Sequence, residues 1–150
     1  MRIVADTSGV VAAIVTAEPA HEDCRHALED ASEVFISPCV VTETCYLLQA
    51  GGHADAVSGF LTNLADGFYT IIPLKAEDCD LMDSLLKSYA DQLRRKRPKP
   101  GTIDLADAHN VVIAAQTETT LLLTLDQDYR AIRPLTGPPF FTLVPADLSA

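Results

Sequence analysis

The run Leu121-Leu122-Leu123-Thr124-Leu125 carries no charge and no apolar–polar alternation. A strand with one face in water alternates. An unbroken apolar strand is buried on both faces, as a central strand is in a parallel sheet covered by helices on both sides. The rest of the chain supplies matching pieces. Short strand-like segments occur at 2–5, 34–36 and 68–73, with a last one at 140–144 after Pro138-Pro139. Helix-like segments lie between them at 7–16, 20–31, 38–50, 53–66, 76–93 and 103–117. Ser37-Pro38 is a helix start, with Ser as N-cap and Pro in the first turn, and Gly51-Gly52 is a stop. Alternating strands and helices predict an α/β fold around a parallel sheet. A length of 150 residues suits one domain spanning 1–150.

Composition narrows the function classes. A hydrophobic content of 48% is too high for disorder, and a net charge of −10 argues against a surface that coats nucleic acid. Five of the eleven basic residues, Arg94, Arg95, Lys96, Arg97 and Lys99, fall within six positions, in a stretch read as a loop. Cys24, Cys39, Cys45 and Cys79 show no C-x-x-C spacing and read as small buried hydrophobes in a reducing compartment. The N-terminus offers no signal peptide, and the apolar run 10–15 is too short to span a bilayer. A soluble cytoplasmic protein with no membrane partner is expected.

Four carboxylates interrupt or end apolar stretches: Asp6, Glu43, Asp107 and Asp126. Each has an ordinary structural role open to it. Asp6 can cap the helix that follows, and Asp107 can favour a helix N-terminus through the dipole. Glu43 is the hardest to explain so. Its helical neighbours Cys39, Val40, Tyr46 and Leu47 make a mostly apolar face, on which a charge is costly unless paired or metal-bound. Asp6 and Asp126 both follow strands, where open α/β sheets bind ligands. Asp104 lies three positions before Asp107, where two acids repel unless a cation lies nearby, and Asp128 follows Asp126 as a helper or turn residue. Gathered together, the acids need a divalent cation, and oxygen-only ligation suits Mg²⁺ or Mn²⁺ rather than zinc. His109 reads as structural, and Asn110 is the better-placed neighbour of Asp107.

In order, Ile3-Val4-Ala5-Asp6-Thr7-Ser8, Val41-Thr42-Glu43, Leu105-Ala106-Asp107-Ala108 continuing to Ala114-Ala115, and Leu123-Thr124-Leu125-Asp126-Gln127-Asp128-Tyr129 resemble the four motifs of PIN-domain ribonucleases. More narrowly, they are similar to the VapC toxins of toxin–antitoxin pairs. The match runs from residue 3 to about residue 132, with Tyr129 where the family usually carries Phe. The resemblance implies a three-layer α/β/α sandwich around a short parallel sheet, with Mg²⁺ or Mn²⁺ in an acidic pocket. It implies that Asp6, Asp107 and Asp126 hold metal and that Glu43 supports the metal or the attacking water. Thr7, Ser8 and Thr124 then orient carboxylates by hydrogen bonds. RNA is the implied substrate and a cognate antitoxin the implied partner; apolar helices such as 38–50 suggest a face for a second copy of the chain, and core burial explains them as well.

The basic run 94–99 is expected to hold RNA phosphates beside this pocket. Two features depart from the family pattern: a longer basic loop before the third motif and a Pro-rich extension after the fourth. Other classes fit less well. A phosphorelay receiver wants adjacent acids after the first strand and a late Lys. A haloacid-dehalogenase phosphatase wants Asp-x-Asp where this chain has Ser8. No P-loop, dinucleotide fingerprint or Ser-His-Asp arrangement occurs. A catalytically idle PIN fold acting as an RNA- or protein-binding module is the alternative to the nuclease.

Overall fold

The structure is a computed structural model describing residues 1–96 and 103–148, and side chains outside 90–96. Five strands, β1 (Arg2–Ala5), β2 (Glu33–Ile36), β3 (Thr70–Ile71), β4 (Leu121–Leu123) and β5 (Thr142–Val144), form one sheet in the order β3-β2-β1-β4-β5. Every neighbouring pair is parallel. The connections run through α1 (Thr7–Ile14), α2 (His21–Glu29), α3 (Pro38–Ala50), α4 (Ala54–Ala65), α5 (Cys79–Lys96) and α6 (Leu105–Gln116).

Successive strand residues face opposite sides of the sheet, and this builds two cores. Ile3, Ala5, Val34, Ile36 and Leu123 pack with Val10, Cys24, Val40 and Phe60 from α1 to α4. Val4, Phe35, Leu122 and Leu143 pack on the other side with Met82 and Leu85 of α5 and Val111, Val112 and Ile113 of α6. Leu122 and Leu123 are both fully buried, one in each core, as the unbroken apolar run demands. The arrangement is the expected three-layer α/β/α sandwich. No helix among the described residues is long and apolar enough to cross a membrane.

Four local expectations are corrected. The strand expected over 121–125 ends at Leu123, because Thr124 turns its hydroxyl toward Asp6 and leaves Leu125 exposed. The edge strand expected over 68–73 is reduced to Thr70–Ile71, with Phe68 left outside it, exposed and edge-on to Tyr69. The basic stretch read as a loop begins inside α5, since Arg94, Arg95 and Lys96 are good helix formers that prolong it. Cys79 is exposed rather than buried, at the solvent-facing start of α5, while Cys24 is buried and all four thiols are free.

Contact between α1 and β4 depends on Gly9. A Cβ there would stand 2.5 Å from the Leu123 carbonyl oxygen and 2.8 Å from its carbonyl carbon, both backbone atoms. Glycine lets the start of α1 sit directly on the strand, so the residues following β1 and β4 emerge side by side. Gly9→Ala is expected to destabilise the fold by about 1–3 kcal/mol, as overpacking against rigid backbone does. A lower urea midpoint at unchanged slope would show it. An unchanged midpoint would mean that α1 can move off the strand.

Candidate active site

From β1 the sheet grows through β2 and β3 on one side and through β4 and β5 on the other. The order therefore reverses between β1 and β4, and ligands of such sheets bind in the crevice beyond the carboxyl ends of the strands at that point. Asp6 is the first residue after β1, with its N–H donating to the Leu123 carbonyl at 3.0 Å. Asp126 follows β4 by three residues. A cleft of about 220 Å³ opens there, lined by Asp6, Glu43, Asp104, Asp107 and Asp126 together with Thr7, Ser8 and Leu47. All four carboxylates singled out in the sequence thus share one cleft, and among the described residues none that line it is basic.

Asp6 combines two roles. Its Oδ2 accepts from Ser8 Oγ at 2.7 Å, from Thr124 Oγ1 at 2.8 Å and, as the N-cap of α1, from Ser8 N at 3.4 Å. Its Oδ1 accepts a longer bond, from Asn110 Nδ2 at 3.3 Å. One oxygen is thus held by three short or capping contacts and the other by a single longer side-chain bond. Burial raises the pKa of Asp6, and the hydrogen bonds from Ser8 and Thr124 oppose that rise only in part.

Asp104 and Asp107 meet differently from the face-to-face pair expected. Asp104 is the N-cap of α6 and accepts from Asp107 N at 3.0 Å, while the Asp107 carboxylate accepts from Asp104 N at 2.9 Å. This reciprocal capping box satisfies two orphan donors and fixes the Asp107 side chain. Burial, together with the charges of Asp104 and Asp6, pushes Asp107 up to about 7 despite hydrogen bonds from the Asp104 backbone and Tyr129.

Glu43 lies on α3, and its Oε2 accepts from Thr7 Oγ1 at 2.7 Å. The apolar face expected around it is only half buried: Val40 is enclosed, whereas Tyr46 is 66% exposed. Glu43 is therefore a rim residue held by a hydroxyl. Ser37 sets where α3 stands relative to α6. Its hydroxyl caps α3 by accepting from Cys39 N at 3.0 Å and hydrogen-bonds buried His109 Nδ1 at 2.8 Å. Burial lowers the His109 pKa, which keeps the ring neutral and suits the structural role read from the sequence.

Asp126 is half buried and caps a 3₁₀ turn, Gln127–Arg130, with its Oδ1 accepting from Asp128 N at 2.8 Å. Asp128 acts here through its backbone and does not line the cleft. That turn carries Tyr129, which the sequence marked only as a departure from its family. Its hydroxyl accepts from Asn110 Nδ2 at 3.0 Å, and the same amide reaches Asp6. Asn110 was traceable, lying three positions beyond Asp107 on one helical face. Tyr129 was traceable only as a phenol in an apolar setting. The basic run Arg94, Arg95, Lys96, Arg97 and Lys99 lies outside the described side chains.

The donor set fits a hard divalent cation: among the described residues every polar side chain lining the cleft offers oxygen, and buried Asp6 and half-buried Asp107 have raised pKa values. Among the described residues, no three His, Cys, Asp or Glu side chains are disposed to hold one ion together. Mg²⁺ does not require such a cage, since it keeps several waters and is bound through one or two carboxylates. Asp6 and Asp107 meet that lesser demand.

Acids with raised pKa values give a pH signature. Between the ordinary value of 3.8 and about 7, folded Asp107 retains a proton that the unfolded chain has released. The contribution of Asp107 to metal-free stability therefore falls as pH rises through that window, and Asp6 acts in the same direction. Asp107→Asn should melt higher than wild type in EDTA, with a gap that widens from pH 4 to pH 7. Thermal denaturation across that range checks it, and a constant gap would rule the effect out.

The PIN-domain family model matches residues 3–134. Ribonuclease VapC26 of Mycobacterium tuberculosis is 31% identical over 145 residues, covering 95% of this chain and 100% of that protein. The crystal structure of M. tuberculosis VapC20, described as a toxin cleaving the sarcin-ricin loop, superimposes with a TM-score of 0.67 over 86% of this chain and 93% of that one, at 18% identity. At that identity the likeness is one of fold. With sheet order, acidic cleft and family match in agreement, the chain belongs to the PIN-domain family and, within it, to the VapC-like proteins.

Proposed function

We propose that the chain is a metal-dependent endoribonuclease that uses Mg²⁺ or Mn²⁺ to hydrolyse RNA phosphodiester bonds, as the toxin of a toxin–antitoxin pair. The observation that carries this reading is the cleft at the switch point, where acids from two strand ends and two helices converge. The names of the relatives, a ribonuclease and an RNA-cleaving toxin, support the substrate class and imply an antitoxin partner. A second copy of the chain is a further expected partner.

Asp6, through its less engaged Oδ1, and Asp107 would hold the cation, with Asp126 lining the same cleft. A bound divalent cation lowers the pKa of an attacking water and neutralises charge on the phosphodiester. Glu43 takes one hydrogen bond from Thr7 on Oε2, which leaves Oε1 to orient that water and accept its proton. Ser8 and Thr124 keep Asp6 from turning away, because both donate to its other oxygen. Tyr46, exposed one turn beyond Glu43, offers an aromatic face of the kind on which unpaired RNA bases stack.

Asp6→Asn and Asp107→Asn should each reduce Mn²⁺-dependent RNA cleavage by at least roughly a hundredfold while keeping the circular dichroism of the folded protein. Activity retained in both would refute the site. The basic run enters the proposal as a phosphate-binding element. Replacing Arg94, Arg95, Lys96 and Arg97 with Ala should weaken RNA binding and flatten its dependence on salt concentration, because fewer counterions are released. An unchanged salt slope in a titration series would remove the run from the binding surface.

A further inference from the structure

Tyr129 is fully buried, on the turn that Asp126 caps, with its ring edge-on to Phe141 at 6.2 Å between centroids. Packing fixes the direction of the ring, so the hydroxyl points where the turn aims it. Asn110, also fully buried, has two amide hydrogens. One goes to Asp6 Oδ1 at 3.3 Å and the other to the Tyr129 hydroxyl at 3.0 Å. A phenol oxygen that accepts from an amide keeps its own hydrogen to give, and Asp107, one helical turn before Asn110, is the acid whose charge it feels beside that of Asp6. One amide thus ties the acid that follows β1 to a phenol with a hydrogen left to give to the acid on α6.

The amide is oriented at a cost. Asn110 Oδ1 is buried with no hydrogen-bond partner, an arrangement that ordinary core packing disfavours. Turning the amide over would relieve that oxygen but would face a carbonyl toward Asp6. The unsatisfied oxygen follows from committing both N–H groups to the acidic cleft.

We infer that Tyr129 is a positioning residue: its hydroxyl, held by Asn110, fixes the Asp107 carboxylate relative to Asp6 so that the two present one cation site. The inference rests on the metal-dependent reading above. Phenylalanine fills the same core volume without the hydroxyl, so the contribution of the hydroxyl can be separated from that of the ring.

The test is a Mn²⁺ titration by calorimetry of the whole chain at constant pH, on wild type, Tyr129→Phe and Asn110→Leu. Metal-free melting curves and RNA cleavage kinetics accompany it. Tyr129→Phe should bind Mn²⁺ about tenfold more weakly, as loss of a group that orients a metal ligand does. Its metal-free melting temperature should not fall. kcat should fall with KM for RNA unchanged, because the hydroxyl lies beneath the cleft and away from the substrate. Asn110→Leu removes both donors and should lose at least as much Mn²⁺ affinity. Wild-type Mn²⁺ affinity in both variants overturns the positioning role, whether or not they melt lower. A wild-type protein that binds no Mn²⁺ overturns the metal reading and the positioning role together.

Discussion

Much of the structure is arranged around one carboxylate buried at the end of β1. Asp6 is 6% exposed, and among the described residues no basic one lines the cleft it faces. Removing such a group from water is costly unless donors replace the water. Ser8 supplies its hydroxyl and its N–H from α1, Thr124 supplies a hydroxyl from the end of β4, and Asn110 supplies an amide from α6. Three separate stretches of chain must be in place before that carboxylate is tolerated. Pairing of β1 with β4, docking of α6 on the sheet and termination of β4 at Leu123 all serve that condition.

The structural and chemical readings of the acids turn out not to compete. Asp6 caps α1, Asp104 and Asp107 cap α6 between them, and Asp126 caps the turn after β4. A carboxylate has two oxygens and about four acceptor sites, so capping with one oxygen leaves the other for a ligand. The caps also perform the alignment. A side chain tied to its own backbone loses rotamer freedom at folding, before any ligand arrives, and an aligned group is what a catalytic site needs. Raising the pKa values of Asp6 and Asp107 costs metal-free stability as pH climbs toward neutrality, a common exchange at functional sites.

Much of this was legible in the sequence. The apolar run through Leu121–Leu123, the Ser37-Pro38 start and the strand-end positions of Asp6 and Asp126 follow from periodicity and capping rules, and they located the sheet and the cleft. The remainder depends on tertiary contact. Leu125 reads as strand in isolation, but Thr124 leaves the strand to serve a carboxylate 118 positions earlier. The Glu43 face reads as buried because residue type does not show which half of an apolar stripe the neighbouring helices cover. Arg94 to Lys96 read as loop because charge and the nearby Pro outweighed their helix propensity. Tyr129 is the clearest limit. Its hydroxyl meets Asn110 across 19 positions, and nothing local links the two.

Gly9 carries a consequence for how such a cleft can diversify. Where a helix rests on a sheet through side chains, exchanging a larger residue for a smaller one adjusts the gap gradually. Here main chain rests on main chain, so the separation between the Asp6 and Asp126 sides of the mouth is a fixed backbone dimension. Related chains sharing this contact would inherit the same aperture over the reacting phosphate. Any divergence in which RNA they admit would then fall to the rim, where Tyr46, Leu47, Leu105 and Leu125 stand exposed and free to vary without disturbing the acids below.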